Sequence, residues 1–279
     1  MLGTPLKLRK VIDKSIGRLD DRSAKILINR YGLYGEDVKT LASLGSIYGL
    51  TRERVRQIEE YSLDSLREYI DKEEIETILS LIHDYLDKVG GLRREDLLVK
   101  DLWMLFGVGY EKEVFRSELR LIARVEEEPE VVPGNNYWHD IWHNDAKAHK
   151  LATSLVQYLL KFKEQDFMEF LELAAAKFKL PEVLVVNYLS ASKRFGVGPY
   201  GDLGAKHWVR VHPKTVRDKS FLVLRKAGAP MHFKEIALLV NKLDKKQSHP
   251  ATVHNELIKD PRFTLVGRGT YALKERLKK

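Results

Sequence analysis

The chain has 279 residues, 44% hydrophobic and 32% charged, which is ordinary for a globular protein and long enough for about two to four small domains. It contains no cysteine, which excludes a disulfide framework, a thiolate zinc site and a cysteine nucleophile, and which fits a reducing cytoplasm. The net charge is +8, and the interrupted apolar runs predict neither an export signal nor a membrane span, so we expect a cytoplasmic protein without a membrane partner.

A helix-turn-helix is predicted where the apolar run TLASLGSIYGL meets the motif TRERVRQIE. Gly49 can adopt the left-handed backbone that a tight turn between helices needs, and Thr51 is a good N-cap for a second helix. Val55 and Ile58 are then expected to face inward together with Leu50. Four apolar residues at helical spacing form the inward face of the first helix: Leu41, Leu44, Ile47 and Tyr48.

The first turns of the second helix carry side chains of the types that read base edges. Arginine pairs bidentately with guanine, glutamine pairs with adenine, and glutamate accepts from the amino group of cytosine. The outward positions are Arg52, Glu53, Arg56 and Gln57. The alternative for this segment by itself is a helical hairpin whose charged face is only solvated.

The string RSAKILINRYGLYGEDVKTLASLGSIYGLTRERVRQIEEYSLDSLRE, within residues 16 to 70, resembles the fourth conserved region of the housekeeping bacterial sigma factors. That region binds the promoter −35 element and the polymerase flap, so the resemblance implies double-stranded DNA and RNA polymerase as partners. One departure is that Asp64 and Ser65 stand where sigma factors usually carry positive charge, which argues against phosphate contacts at that end of the helix. The candidate DNA-binding residues, with Arg54 nearer the phosphates, are Thr51, Arg52, Glu53, Arg54, Arg56 and Gln57.

After residue 71 the sequence repeats one theme about every 70 residues, three helices followed by a short β pair, which is the pattern of a winged helix. The predicted fold class is therefore mainly α, with tandem helix-turn-helix and winged-helix domains that carry short β wings. The predicted domains are residues 1–71, 72–143, 144–212 and 213–279, with net charges of +2, −7, +3 and +10.

The two middle domains give weaker signals. The predicted wing of the second carries three successive glutamates, 126 to 128, which repel phosphate, so we expect a spacer or a protein-docking surface. The third has a glycine-rich wing, GVGPYGDLGAKHWVRV, beside four cations that either contact phosphate or form an ordinary solvated face: Lys193, Arg194, Lys206 and Arg210.

The fourth domain has the clearest winged-helix pattern. Thr215 caps a first helix that stops at Gly228, and Ser248 is the expected cap of a third helix with Pro250 in its first turn. The strings APMHFKEIALLVN and HPATVHNELIKDPRFTLVGRGTYAL resemble the HARE helix-turn-helix domain, over residues 214 to 275, which implies DNA binding or protein docking. The alternative is a fold-stabilising module with solvated charges. Charge and geometry select as DNA contacts Lys245, Lys246, Thr252, Asn255 and Arg268.

No catalytic or cofactor motif is recognised in the sequence, so we expect no enzyme activity, no cofactor and no metal. Asp140 and Asp145 lie among three histidines, but no further ligand completes a zinc set. Glycines 196, 198, 201 and 204 lack the GK[ST] that follows them in a phosphate loop. The histidines concerned are His139, His143 and His149.

The favoured function is a sequence-specific DNA-binding transcription regulator or RNA-polymerase-associated factor, sigma-like but without a promoter-melting region. Because one chain supplies several contacts, we expect it to act as a monomer. The alternative is a protein-interaction module that docks on RNA polymerase, or an accessory subunit of a DNA-processing enzyme.

Overall fold

The structure is a computed structural model that describes residues 7–164, 166–243 and 247–276. The chain divides into two compact units, Met1–Thr153 with Val186–Ala191 and Ser154–Val185 with Ser192–Lys279. The described residues form thirteen α-helices and three small antiparallel sheets, which confirms the mainly α fold class. The helices are α1 Leu8–Ile16, α2 Asp21–Tyr31, α3 Leu41–Tyr48, α4 Arg52–Tyr69, α5 Lys72–Lys88, α6 Glu95–Phe106, α7 Lys112–Glu126, α8 Ala146–Lys161, α9 Phe167–Phe178, α10 Glu182–Ser190, α11 Val216–Ala227, α12 Phe233–Lys242 and α13 Pro250–Lys259.

The strands are short and pair locally. In the sequence-predicted hairpin of residues 195–205, Gly196 lies opposite Gly204 in the register of β4 and β5. The other two sheets have the orders β1-β3-β2 and β6-β8-β7. The strands are β1 Leu92–Arg94, β2 Glu130–Val132, β3 Ile141–His143, β4 Phe195–Val197, β5 Leu203–Ala205, β6 Met231–His232, β7 Phe263–Gly267 and β8 Thr270–Leu273.

Helices α2, α3 and α4 enclose a small core of their own. Ile26, Leu44 and Val55 are fully buried there, one from each helix. Ile47, expected on the inward face, is instead 56% exposed. Its position lies to one side of the narrow stripe through which an eight-residue helix contacts its neighbours. The partly buried residues around this core are Leu41, Tyr48, Leu50 and Ile58.

Residues 72–143 adopt the winged-helix order α5, β1, α6, α7, β2 and β3. The central strand β3 places Trp142 opposite Arg93 on one side and Val131 on the other. The three glutamates 126 to 128 do not lie in the hairpin, as expected from the sequence, but between the end of α7 and the start of β2. There Glu127 accepts from Arg67 at 3.1 Å, so its charge is partly neutralised within the unit.

Helix α7, the third helix of this winged helix, is buried along most of its length. It packs on α1, α2 and α4 as well as on α6, its neighbour in the winged helix. One continuous core therefore runs from Leu8 to Trp142 and draws on the first two predicted domains. The division into four domains itself stays a prediction. The buried residues of α7 are Val114, Phe115, Glu118, Leu119, Leu121, Ile122, Ala123 and Val125.

Glu118 is a carboxylate inside this core. It is fully buried, and Arg9 Nε donates to it at 2.6 Å. Burial raises the pKa of Glu118, and the hydrogen bond and charge of Arg9 lower it by less. A raised folded-state pKa means that Glu118 contributes stability below its ordinary pKa of 4.5, and that this contribution is lost as the pH rises through the folded-state value.

We therefore expect Glu118→Gln to gain stability relative to the wild type as the pH rises from about 4 to about 7, because glutamine keeps an acceptor for Arg9 without a buried charge. Urea midpoints of both proteins at the two pH values measure this difference. The control is Glu113→Gln on the exposed side of the same helix, for which the difference should not change with pH. A constant difference for Glu118→Gln would contradict the expectation.

Residues 216–273 form a second winged helix around their own core, which includes Val223, Ile236 and Leu257. The predicted cap Thr215 forms a capping box with Asp218, and Gly228 ends α11 with a left-handed backbone, both as expected. The prediction for Ser248 is wrong, because Asn241 Oδ1 accepts from the Ser248 backbone N–H at 2.8 Å and holds it outside the helix. Instead the next residue, His249, caps α13 by accepting from the Ala251 N–H.

Candidate nucleic-acid interface

The turn between α3 and α4 has the geometry that the sequence predicts. Gly49 has a φ of 65°, a left-handed conformation that side chains disfavour. A Cβ at Gly45 would lie 2.6 Å from the Leu50 carbonyl oxygen, so the close approach of the two helices also requires glycine there. Thr51 Oγ1 accepts from the Arg54 backbone N–H at 3.1 Å and caps α4. The helix-turn-helix is thus confirmed in its turn, its cap and its helix start.

Helix α4 is anchored by its inner face at both ends. Val55 packs in the small core, while Leu63 and Leu66 belong to the core shared with α7. Between them, the buried Glu59 accepts from Arg30 Nε at 3.2 Å and from the Tyr31 hydroxyl at 3.1 Å, which ties α4 to α2. The first two turns of α4 are therefore held rigidly on one side and open on the other.

The six candidate residues of this segment come together on the open side. All six are exposed, and they span the cap and the first two turns of one helix. We call this set, Thr51, Arg52, Glu53, Arg54, Arg56 and Gln57, the reading face.

Hydrogen bonds link the side chains of the reading face to one another. Arg56 donates to both carboxylate oxygens of Glu53, at 2.7 and 3.0 Å, and to Glu60 one turn further on. These contacts lower the pKa of Glu53 and raise that of Arg56, so both groups are charged at neutral pH. Arg54 Nη1 donates to Gln57 Oε1 at 3.2 Å, which orients the amide. Sequence reasoning did not single out Glu60, although its spacing of four from Arg56 predicts an ion pair.

Beyond the second turn, α4 is unsuited to phosphate. Glu60, Asp64 and Glu68 are exposed along it at intervals of four residues. Arg67 is held by Asp64 at 3.2 Å, by Glu127 at 3.1 Å and by the Val125 carbonyl at 2.7 Å. Contact between α4 and a polyanion is therefore restricted to the reading face.

The C-terminal candidates are only partly described. Thr252 and Asn255 are exposed on one face of α13, and Arg268 is exposed in the turn between β7 and β8. That turn is fixed to α12 because the Phe233 N–H donates to the Gly269 carbonyl at 2.9 Å. Lys245 and Lys246 lie outside the described residues.

The surface around these C-terminal candidates is less basic than the net charge of the segment indicates. Arg217 pairs with Glu256 at 2.8 Å, and Arg262 pairs with Asp218 and Asp260 at 3.1 and 2.6 Å. Apolar side chains are exposed beside the candidates, with Ile258 of α13 63% and Leu265 of β7 60% exposed. This surface therefore combines polar, cationic and apolar groups.

The histidines near residue 143 stay close together. His143 is buried, its ring centre lies 5.9 Å from that of His149, and its Nε2 lies 3.5 Å from a Glu130 oxygen. Within residues 7–164, 166–243 and 247–276, no group of three or more histidine or carboxylate side chains is arranged to hold a metal ion.

Comparison with known proteins agrees with this geometry at the N-terminal end. Residues 15–68 match sigma-70 region 4. This sigma-like segment contains the whole reading face. The N-terminal region is 48% identical over 56 residues to the RNA polymerase principal sigma factor HrdD of Streptomyces griseus, covering 20% of this chain and 17% of that protein. It is 39% identical over 66 residues to the RNA polymerase sigma factor RpoS of Coxiella burnetii, covering 24% and 19%.

The chain thus spans less than a fifth of the length of these sigma factors. At the other end, residues 214–275, the HARE segment, match the HARE-HTH family, a helix-turn-helix domain whose description names ASXL and restriction endonuclease. Two helix-turn-helix families at the two ends of one chain indicate a DNA-binding, transcription-related protein. Of the helices in the described residues, none combines the length and the apolar character needed to cross a membrane.

Proposed function

We propose that the protein is a sequence-specific DNA-binding regulator of transcription or an RNA-polymerase-associated factor. The observation that carries the proposal is the reading face, a capped and rigidly anchored helix start that exposes arginine, glutamate and glutamine together. These are the side chains that pair with guanine, cytosine and adenine in the major groove. No segment is assigned to promoter melting, so the regulator would not open promoters alone.

The burial of α7 supports DNA reading by the sigma-like segment. The faces of α1, α2 and α4 that lie away from solvent are already filled by α7. The reading face is the polar surface that this packing leaves open on α4, and it ends where the exposed carboxylates begin. A winged helix usually inserts its third helix into DNA. Here that helix supports a neighbouring reading head instead.

A second candidate function is protein docking, favoured by the exposed Ile258 and Leu265 on the HARE segment. Docking surfaces typically combine such apolar groups with a polar rim. Under this hypothesis the chain is an interaction module for RNA polymerase or an accessory subunit of a DNA-processing enzyme. Co-purification with polymerase and no enriched sequence in a selection from random duplexes would favour this candidate over the first.

The proposed function predicts different defects for the two ends of the chain. Arg56→Ala or Gln57→Ala should flatten sequence preference, with about 1 to 3 kcal/mol lost for each good bidentate contact. Arg268→Ala should instead weaken all duplexes alike and lower the slope of log K against log salt by about 1. Affinities of the full chain for a selected and a scrambled duplex, at several salt concentrations, separate the two effects. Equal losses on both duplexes for Arg56→Ala and Gln57→Ala would contradict base reading.

A further inference from the structure

The guanidinium of Arg56 is unusual on the reading face because two carboxylates bind it. Glu53 accepts from Nε and Nη2, and Glu60 accepts from Nη1. An arginine side chain has five N–H donors, so three are in use. One donor remains on each of Nη1 and Nη2, the two atoms of the terminal fork. A fork of two parallel donors is the group that binds the O6 and N7 atoms of guanine.

We propose that Glu60 is a specificity-determining residue that positions Arg56 for guanine and cancels its attraction to phosphate. This inference rests on the proposed function and adds a residue to it. Glu60 needs no contact with DNA in this role. It fixes the orientation of the fork before binding, and together with Glu53 it gives the group of three side chains a net charge of −1.

The two effects act on different complexes. A net negative group gains nothing from a phosphate, so the Arg56 site contributes little to binding of arbitrary sequences. A guanine edge presents two neutral acceptors that the remaining donors reach without breaking the ion pairs. Orienting the side chain in advance also removes the entropy cost of ordering a long, flexible group on binding. Both effects widen the gap between selected and arbitrary sequences.

The test compares Glu60→Ala and Glu60→Gln in the full chain, on a duplex selected by the wild type and on a scrambled duplex. Alanine removes the charge and the acceptor and keeps a helix-favouring residue. It should tighten binding of the scrambled duplex about fivefold, the effect of one phosphate contact at about 0.15 M salt. The ratio of the two affinities should fall about three- to tenfold, as expected when one flexible side chain loses its preorganisation.

Glutamine keeps an acceptor for Nη1 and loses only the charge. It should tighten both duplexes by a similar factor and preserve the ratio, which separates positioning from charge. Glu68→Ala is the matched control, because it removes an exposed glutamate from the same helix about three turns beyond Arg56. It should leave the ratio unchanged. In an Arg56→Ala background, Glu60→Ala should also leave the ratio unchanged, since its effect passes through Arg56.

The inference is overturned if Glu60→Ala preserves the ratio, or if it lowers the ratio equally with and without Arg56. A wild-type chain that selects no sequence at all would remove the proposed function and this inference with it. A wild-type chain that selects a sequence, combined with an unchanged ratio in Glu60→Ala, would remove the inference alone.

Discussion

Replacing Phe115 with alanine should destabilise the N-terminal unit by about 3 to 5 kcal/mol, the usual cost of a large aromatic residue lost from a core. Phe115 is fully buried in α7, and its ring meets that of Tyr110 edge to face at 5.8 Å. Since α7 packs on α1, α2 and α4, the loss should extend to the helix that carries the reading face. Amide hydrogen exchange of residues 52–69 should speed up by about 100-fold or more.

Tyr61→Ala is the control for Phe115→Ala. It removes an aromatic ring that is 70% exposed on α4, so it should change stability by less than about 0.5 kcal/mol. If Phe115→Ala speeded exchange in α7 but left residues 52–69 protected, the sigma-like segment would be stable without its neighbour. That result would contradict the shared core.

Replacing Glu95 with alanine should cost about 2 to 4 kcal/mol, because its buried carboxylate joins three elements. It accepts from Arg116, from Arg120 at 2.6 Å and from the indole N–H of Trp142 at 2.9 Å. The indole is fully buried and would lose its acceptor, and a cavity would remain at the start of α6. Urea unfolding followed by tryptophan fluorescence measures the loss.

The chain offers a matched control for this effect. Glu113 also pairs with Arg116, at 3.4 Å, but its side chain is 76% exposed. Glu113→Ala should therefore cost less than about 0.5 kcal/mol, as is usual for surface ion pairs. Equal losses for the two variants would indicate that the buried position of Glu95 adds nothing to its contribution.

The features set by neighbouring residues could be predicted from the sequence. The turn at Gly49 and the cap at Thr51 follow from backbone preferences that act within a few residues, and both are present. The caps at Thr215 and Gly228 are present for the same reason. The prediction for Ser248 was wrong because Asn241, seven residues away, binds its backbone, and such a contact has no local signal.

The role of α7 could not be predicted from a winged-helix pattern, which assigns its third helix to a groove. Its sequence does hold a sign of burial, since Val114, Phe115, Leu119, Leu121 and Ile122 occupy more than one face of the helix. A helix that is apolar on several sides must be covered on several sides. Which elements cover it depends on tertiary packing, and periodicity carries no information on that choice. The candidate site residues themselves stay predictions until their binding is measured.

The packing of α7 on α1, α2 and α4 also has a consequence during synthesis. The sigma-like helices leave the ribosome before their cover exists, because α7 ends about 60 residues after α4. At about 5 to 20 residues per second this delay is roughly 3 to 12 s, far longer than a helix needs to form. Throughout that interval the apolar sides of three helices face water. The nascent chain is then at its most vulnerable to aggregation, and at this stage it depends most on chaperones.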